Sequence, residues 1–352
     1  MFDLLSEPQW MAAVGLVGGV LLGLAARLGR FCTLGAIEDM LYGGSDVRMR
    51  MWLLAIGVAI TGSFALMGAE WLNGADTFYL SIQWMPMASV IGGLMFGYGM
   101  ALSGNCGFGA IARLGGGDLR SFVIVLVMGI STYVVLAGPL APLRDWMFHQ
   151  TPVVGNTPPG IAHALAKVSG LSVTAIGIVV GLCLCAGALM SQAFRAAPSS
   201  VIWAAIVGLA IISGWAGTAW VAANGFEANQ IVSHSYSAPL GETILYAMTG
   251  GTRTISFAVG SVAGVWIGAF IGSLIKGHFR WEACDDPREL RRQIIGAAIM
   301  GAGAVIAMGC TVGQGLSAFS VLAFGAPVTM IAIVAGAALG LRQLITGFSL
   351  AE

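Results

Sequence analysis

Charge is scarce in this chain. Only 9% of its 352 residues are Asp, Glu, Lys or Arg, against about 25% in an ordinary soluble domain. A soluble fold of this length needs more charge to cover its surface, so lipid is the solvent that fits. Basic and acidic residues balance at 16 each. With no basic patch, nucleic acid is excluded as a partner. No CxxC pair occurs among the six cysteines, so neither a metal site nor a redox pair is expected, and no cofactor is implied. There is no GxxxxGK[ST] loop, so ATP does not drive the chain directly. No basic region precedes the first apolar stretch in MFDLLSEPQWM. The start therefore does not read as a cleaved signal peptide, and the first helix is expected to stay.

Hydrophobic residues make up 57% of the chain, with 52 glycines among its residues. A spanning helix needs about 20 mostly apolar residues. Nine such windows lie near 11–28, 50–69, 88–105, 119–139, 171–190, 200–220, 255–275, 291–309 and 326–346. The expected fold is an all-α integral membrane protein with about nine transmembrane helices. Short glycine-broken apolar stretches at 33–42, 107–117, 238–250 and 311–325 predict re-entrant half-helices. Irregular backbone at membrane depth must be buried in protein or line a cavity.

Sorting the Lys and Arg residues by connecting loop puts 13 on one side and only Arg144, Lys167 and Arg253 on the other. The positive-inside rule then places the amino terminus outside and the carboxyl terminus in the cytoplasm. Segments 91–109 and 295–313 align at an offset of 204. Gly92, Gly97, Gly99, Cys106 and Gly109 fall on Gly296, Gly301, Gly303, Cys310 and Gly313. The two segments are the third and the eighth helix, an odd step of five, so they cross in opposite directions, as in the inverted repeats of transporters. The whole chain, 1–352, reads as one transmembrane domain. Repeat one covers about 10–140, a connector helix about 171–190, and repeat two about 200–346.

Three segments place a cysteine among glycines just before a possible short helix: GRFCTLG (29–35), SGNCGFG (103–109) and MGCTVGQG (308–315). A helix start offers unpaired N–H groups and a partial positive charge to an anion. A fixed Lys or Arg at the same depth would hold an anion too tightly for release. A thiol and backbone amides stabilise it more weakly, which conduction requires. A thiol also suits a soft ligand, meaning another sulfur species. Cys183, Cys185 and Cys284 read as small buried hydrophobes instead. Arg30 and Arg113 read as inner-face anchors, and 280–292 as a cytoplasmic loop and helix start. His234 and Glu242 read as structural residues of an outer segment.

At these three motifs, and over nearly the whole chain, the sequence resembles the YeeE/YedE family of bacterial sulfur-transport membrane proteins. The resemblance implies an inner-membrane protein with an hourglass shape and two pseudo-symmetric halves. It implies uptake of thiosulfate, or a related small sulfur-containing anion, by relay between thiol S–H groups. Carried onto this chain, the relay residues are Cys32, Cys106 and Cys310. Gly107, Gly309 and Thr311 complete the expected substrate-binding set. The class implied is a transporter rather than an enzyme. The competing reading is a membrane sulfurtransferase that passes sulfane sulfur through a cysteine persulfide. A small cytosolic TusA-like sulfur-carrier protein is the partner the resemblance suggests.

Overall fold

The computed structural model describes residues 6–153, 158–227, 229–250, 252–283 and 286–347. Cys284 lies outside them. Strand pairing among the described residues is limited to four isolated bridges. The chain is otherwise helical. Its first half runs through α1 (Glu7–Leu28), α2 (Thr33–Leu41), α3 (Val47–Gly68), α4 (Phe78–Ser81), α5 (Pro86–Ser103), α6 (Gly107–Leu114), α7 (Leu119–Leu136) and α8 (Ala141–Met147). Then come α9 (Ile161–Ser169), α10 (Val173–Leu189), α11 (Gln192–Arg195) and α12 (Pro198–Asn224). The last four are α13 (Ala238–Thr249), α14 (Phe257–Ile275), α15 (Pro287–Ile306) and α16 (Gly325–Thr346). A π-helical turn, Gly313–Ala318, follows α15.

Local chemistry sets the helix ends. Ser6 and Gln9 form a capping box at the start of α1. Proline opens α5, α12 and α15, where its missing N–H has no helical partner to lose. Gly104 closes α5 at φ 74°.

Helices stand in all nine expected windows: α1, α3, α5, α7, α10, α12, α14, α15 and α16. Among the described residues seven stretches are long and apolar enough to cross a membrane, or eight if the bent pair α9–α10 is one span. α15 falls outside that count because Arg288, Glu289, Arg291 and Arg292 crowd its first turns. The protein is therefore a multi-pass membrane protein.

Glycine contacts give the helix directions. A Cβ at Gly92 would meet Gly303 and Ala307, and one at Gly99 would meet Gly296 and Met300. α5 and α15 are thus antiparallel and in backbone contact. The contact is reciprocal in the repeat numbering, because Gly92 meets the partner of Gly99 and Gly99 the partner of Gly92. α16 runs parallel to α5, since Gly93 faces Ala332 and Gly340 faces Ala101. α14 runs parallel to α1, with Gly15 against Phe257 and Gly23 against Val265. α10 runs antiparallel to α3, with Gly57 against Cys185 and Gly68 against Thr174. These close approaches are what small residues permit between helices in lipid, where apolar burial gives little drive.

The short helices α2 and α6 depart from the expected re-entrant shape. α1 and α2 together make one apolar stretch of 35 residues, and α5 with α6 one of 29 residues. Among the described residues α9 and α10 form a sharply bent apolar pair, at 117°. Ser103 at the end of α5 lies against Gly296. Gly296 is the tenth residue of α15, about 14 Å along that helix from its start. α5 thus stops well inside the bundle, and α6 carries on from there. Gly117 reaches Arg280 just beyond it. Each of α5–α6 and α1–α2 is a broken helix that continues rather than a loop that returns.

Candidate functional site

One backbone device recurs at all three motifs. Arg30 has φ 55°, Gly104 φ 74° and Met308 φ 55°. Each is left-handed, and each lies two residues before a motif cysteine. The left-handed residue ends the first helix, and the cysteine begins the next. Cys32 and Cys106 are the N-cap residues of α2 and α6, both with extended backbone. Arg30 and Met308 are not glycines, so strain of about 1–2 kcal/mol is held at two of the three breaks. Gln314 ties down the third break by donating from Nε2 to Ala307 O at 2.9 Å and Met308 O at 3.1 Å. Gly309, at φ 157°, adopts a backbone that side chains rarely take.

The sulfurs accept backbone hydrogen bonds in matching ways. Gly109 N–H donates to Cys106 Sγ at 3.4 Å, and Gly313 N–H donates to Cys310 Sγ at 3.4 Å. Both are i+3 caps. Cys310 Sγ also accepts from Tyr236 N–H at 3.3 Å and lies 3.9 Å from Ser235 Oγ. Cys106 and Cys310 are both 1% exposed. The electrostatic neighbours of the Cys106 thiol are Cys32 and Cys310, and Thr311 sits beside it. The Thr311 hydroxyl is fully buried, with the Cys106 thiol as its polar neighbour.

A cavity opens on either side of this centre. One, of about 350 Å³, is lined by Tyr79, Ser233, Ser235, Ser237, Ser256, Met308 and Gly309, with Arg144 and Glu242 among its charges. It also touches Met11 and Phe257, near the starts of α1 and α14. The other, of about 340 Å³, contains Cys32 with Arg27, Arg30, Arg48, Arg113 and Lys276 against one carboxylate, Glu38. It touches Ala26 and Gly272, near the ends of the same two helices. The fifteen residues from Met11 to Ala26 correspond to about 22 Å of helix. The two vestibules therefore lie at opposite ends of α1 and α14, one rich in hydroxyls and one rich in cations. Partial desolvation, then Arg30 and Arg27, hold the Lys276 ammonium below its ordinary pKa. Lys276 Nζ also donates to Arg27 O and Leu28 O at the end of α1.

The six expected residues gather along this line. Cys32 is half-buried in the cationic vestibule, Cys106 and Thr311 are at the centre, and Gly309 is on the hydroxyl-rich wall. Gly107 is there for space, since a Cβ would lie 2.7 Å from Met128 Sδ and 3.0 Å from Tyr236 O. Arg30 and Arg113, read as anchors, face the cationic vestibule. Cys183 is exposed, and Cys185 packs against Gly57. Among the described residues no cluster of His, Cys, Asp or Glu could hold a metal ion. His234 is fully buried, its Nδ1 within 2.7 Å of Ser261 Oγ, and Ser261 donates to Tyr236 OH.

Tyr79, Ser235 and Tyr236 were missed by the motif reading. A signal was available. The offset of 204 that aligns Cys106 with Cys310 also places Arg30, Phe31 and Cys32 on His234, Ser235 and Tyr236. Tyr236 thus stands where the first half has Cys32.

A family model described as sulphur transport matches residues 28–339. The chain belongs to the sulphur-transport (YeeE/YedE) family. It is 27% identical over 321 residues to the thiosulfate transporter TsuA of Escherichia coli (strain K12), covering 87% of each chain. It is also 24% identical over 354 residues to the thiosulfate transporter TsuA of Spirochaeta thermophila, covering 93% of this chain and 97% of that one.

Proposed function

We propose that this chain takes up thiosulfate, or a closely related sulfur anion, across the bacterial inner membrane. In this reading the amino terminus is outside and the hydroxyl-rich vestibule is the entrance. The anion passes Cys310, then Cys106 with Thr311, then Cys32, and leaves among the arginines toward the cytoplasm. The observation that carries the reading is the placement of Cys106 between two vestibules, with Cys310 and Cys32 as its neighbours.

The chemistry follows from the caps. The Cys106 and Cys310 sulfurs each accept a backbone N–H, so the S–H proton remains available to a ligand. A neutral thiol is a weak donor and releases what it binds. Thr311, buried against the Cys106 thiol, supplies a second donor there. Beyond the centre, the excess of cations in the second vestibule draws the anion inward. A TusA-like carrier protein would receive the sulfur there.

The test is growth on thiosulfate as sole sulfur source in a strain lacking other uptake, with Cys106→Ala and Cys310→Ala. Both should stop growth, while Cys183→Ala should grow normally. Normal growth of both centre variants would sink the relay. Proteoliposomes separate transport from sulfur transfer. Intact thiosulfate inside supports transport, whereas sulfite outside with a persulfide on a cysteine would identify a sulfurtransferase.

A further inference from the structure

The floor of the hydroxyl-rich vestibule carries a cluster that the three cysteine motifs do not explain. Tyr79 comes from the four-residue helix α4, and Ser235 from the segment between α12 and α13. Both line the cavity, and their hydroxyls interact with each other. Both crowd the same point at Gly313, where a Cβ would lie 2.7 Å from Ser235 Oγ and 2.9 Å from Tyr79 OH. Gly313 is also the residue whose N–H caps Cys310. Ser235 Oγ is 3.9 Å from Cys310 Sγ. Two hydroxyls and one thiol thus converge over a position kept open by the lack of a side chain.

We propose that Tyr79, Ser235 and Cys310 form the receiving site for thiosulfate, and that the three groups read its two ends separately. This inference rests on the transport reading given above. The hydroxyls are hard donors and suit the sulfonate oxygens. The thiol is soft and suits the terminal sulfur. The anion would be oriented before it enters, with its sulfonate held at Tyr79 and Ser235 and its terminal sulfur toward Cys310. Arg144 on the same cavity wall is paired with Asp145, and Glu242 adds a negative charge there. The floor itself has hydroxyls rather than cations, so binding is strong enough to orient and weak enough to release.

Two observations favour a ligand over a purely structural role. Tyr79 and Ser235 both line a cavity of about 350 Å³. Tyr79 comes from a segment far from the cysteine motifs, yet its hydroxyl meets the glycine that caps Cys310.

The experiment measures sodium thiosulfate binding to the purified full chain by calorimetry, and uptake kinetics in proteoliposomes. The variants are Tyr79→Phe, Ser235→Ala and Gly313→Ala, with melting temperature as the folding control. Removing one hydrogen bond to a charged ligand should weaken binding about ten-fold or more. Tyr79→Phe and Ser235→Ala should raise the uptake KM by a similar factor with little change in kcat. The double variant should lose less than the product of the two, because the hydroxyls touch. Gly313→Ala, which fills the space between them, should also lose binding. Affinity within two-fold of wild type in both single hydroxyl variants would overturn the proposal. If Cys310→Ala abolishes uptake while both hydroxyl variants bind normally, only the receiving site fails. Normal uptake in Cys310→Ala would remove the relay itself.

Discussion

The contact between α5 and α15 offers a sharp test of how the centre is held. These helices carry the cysteines Cys106 and Cys310 just past their ends. They touch backbone to backbone through Gly92, Gly99, Gly296 and Gly303. A Cβ built at Gly99 lies 2.5 Å from Gly296 O and 2.6 Å from Met300 N. Ordinary contact begins at 3.4 Å, so the helices must separate by about 0.9 Å at that point. Neither obstacle is a side chain that can rotate away. Overpacking of this kind costs about 1–3 kcal/mol. Gly99→Ala should therefore lower the melting temperature in detergent. It should also cut thiosulfate uptake beyond the loss of folded protein, because the separation passes to both cysteines. Two controls bound the effect. Gly187 in α10 has nothing within 4 Å of its built Cβ, so Gly187→Ala should be neutral or slightly stabilising. Gly104 also has open space but a φ of 74°, so Gly104→Ala should show only the left-handed penalty of about 1–2 kcal/mol. Wild-type stability and uptake in Gly99→Ala would refute the close-contact argument.

Gly107→Ala would press on Met128, which can move, and on the Tyr236 carbonyl, which is fixed by the bond from its own N–H to Cys310. It should lower uptake several-fold while changing stability by about 1 kcal/mol or less, as read by paired uptake and melting assays. Glu242→Gln keeps an acceptor for Ser256 but removes a negative charge from the entrance wall. Its apparent KM should fall about two-fold at low ionic strength, and the difference should vanish in high salt; a salt-independent change would count against an electrostatic origin.

The helices were legible because each depends on a local run of apolar residues, and the nine windows contain nine helices. The breaks were legible too, because glycine and cysteine cluster where each helix stops. Two of the three left-handed residues, Arg30 and Met308, gave no such sign. A non-glycine residue takes that conformation only when surrounding contacts force it. The re-entrant shape expected for α2 and α6 was not what formed. Local sequence marks where a helix breaks, but the angle after the break depends on what packs there. For α6 that is α7 and α14, with Gly115, just past its end, lodged against Trp266 and Ala269.

Sequence alone therefore settled the solvent of this protein, its helical class, and which three cysteines sit at helix ends. These follow from composition and from neighbours a few residues apart. Only the tertiary structure decided that Cys106 and Cys310 share one centre, that a vestibule opens on each side, and that Tyr79, Ser235 and Tyr236 surround the second sulfur. Those contacts join residues 74 or more positions apart. They exist because glycine faces let whole helices approach to backbone distance, and no local pattern encodes which faces will meet.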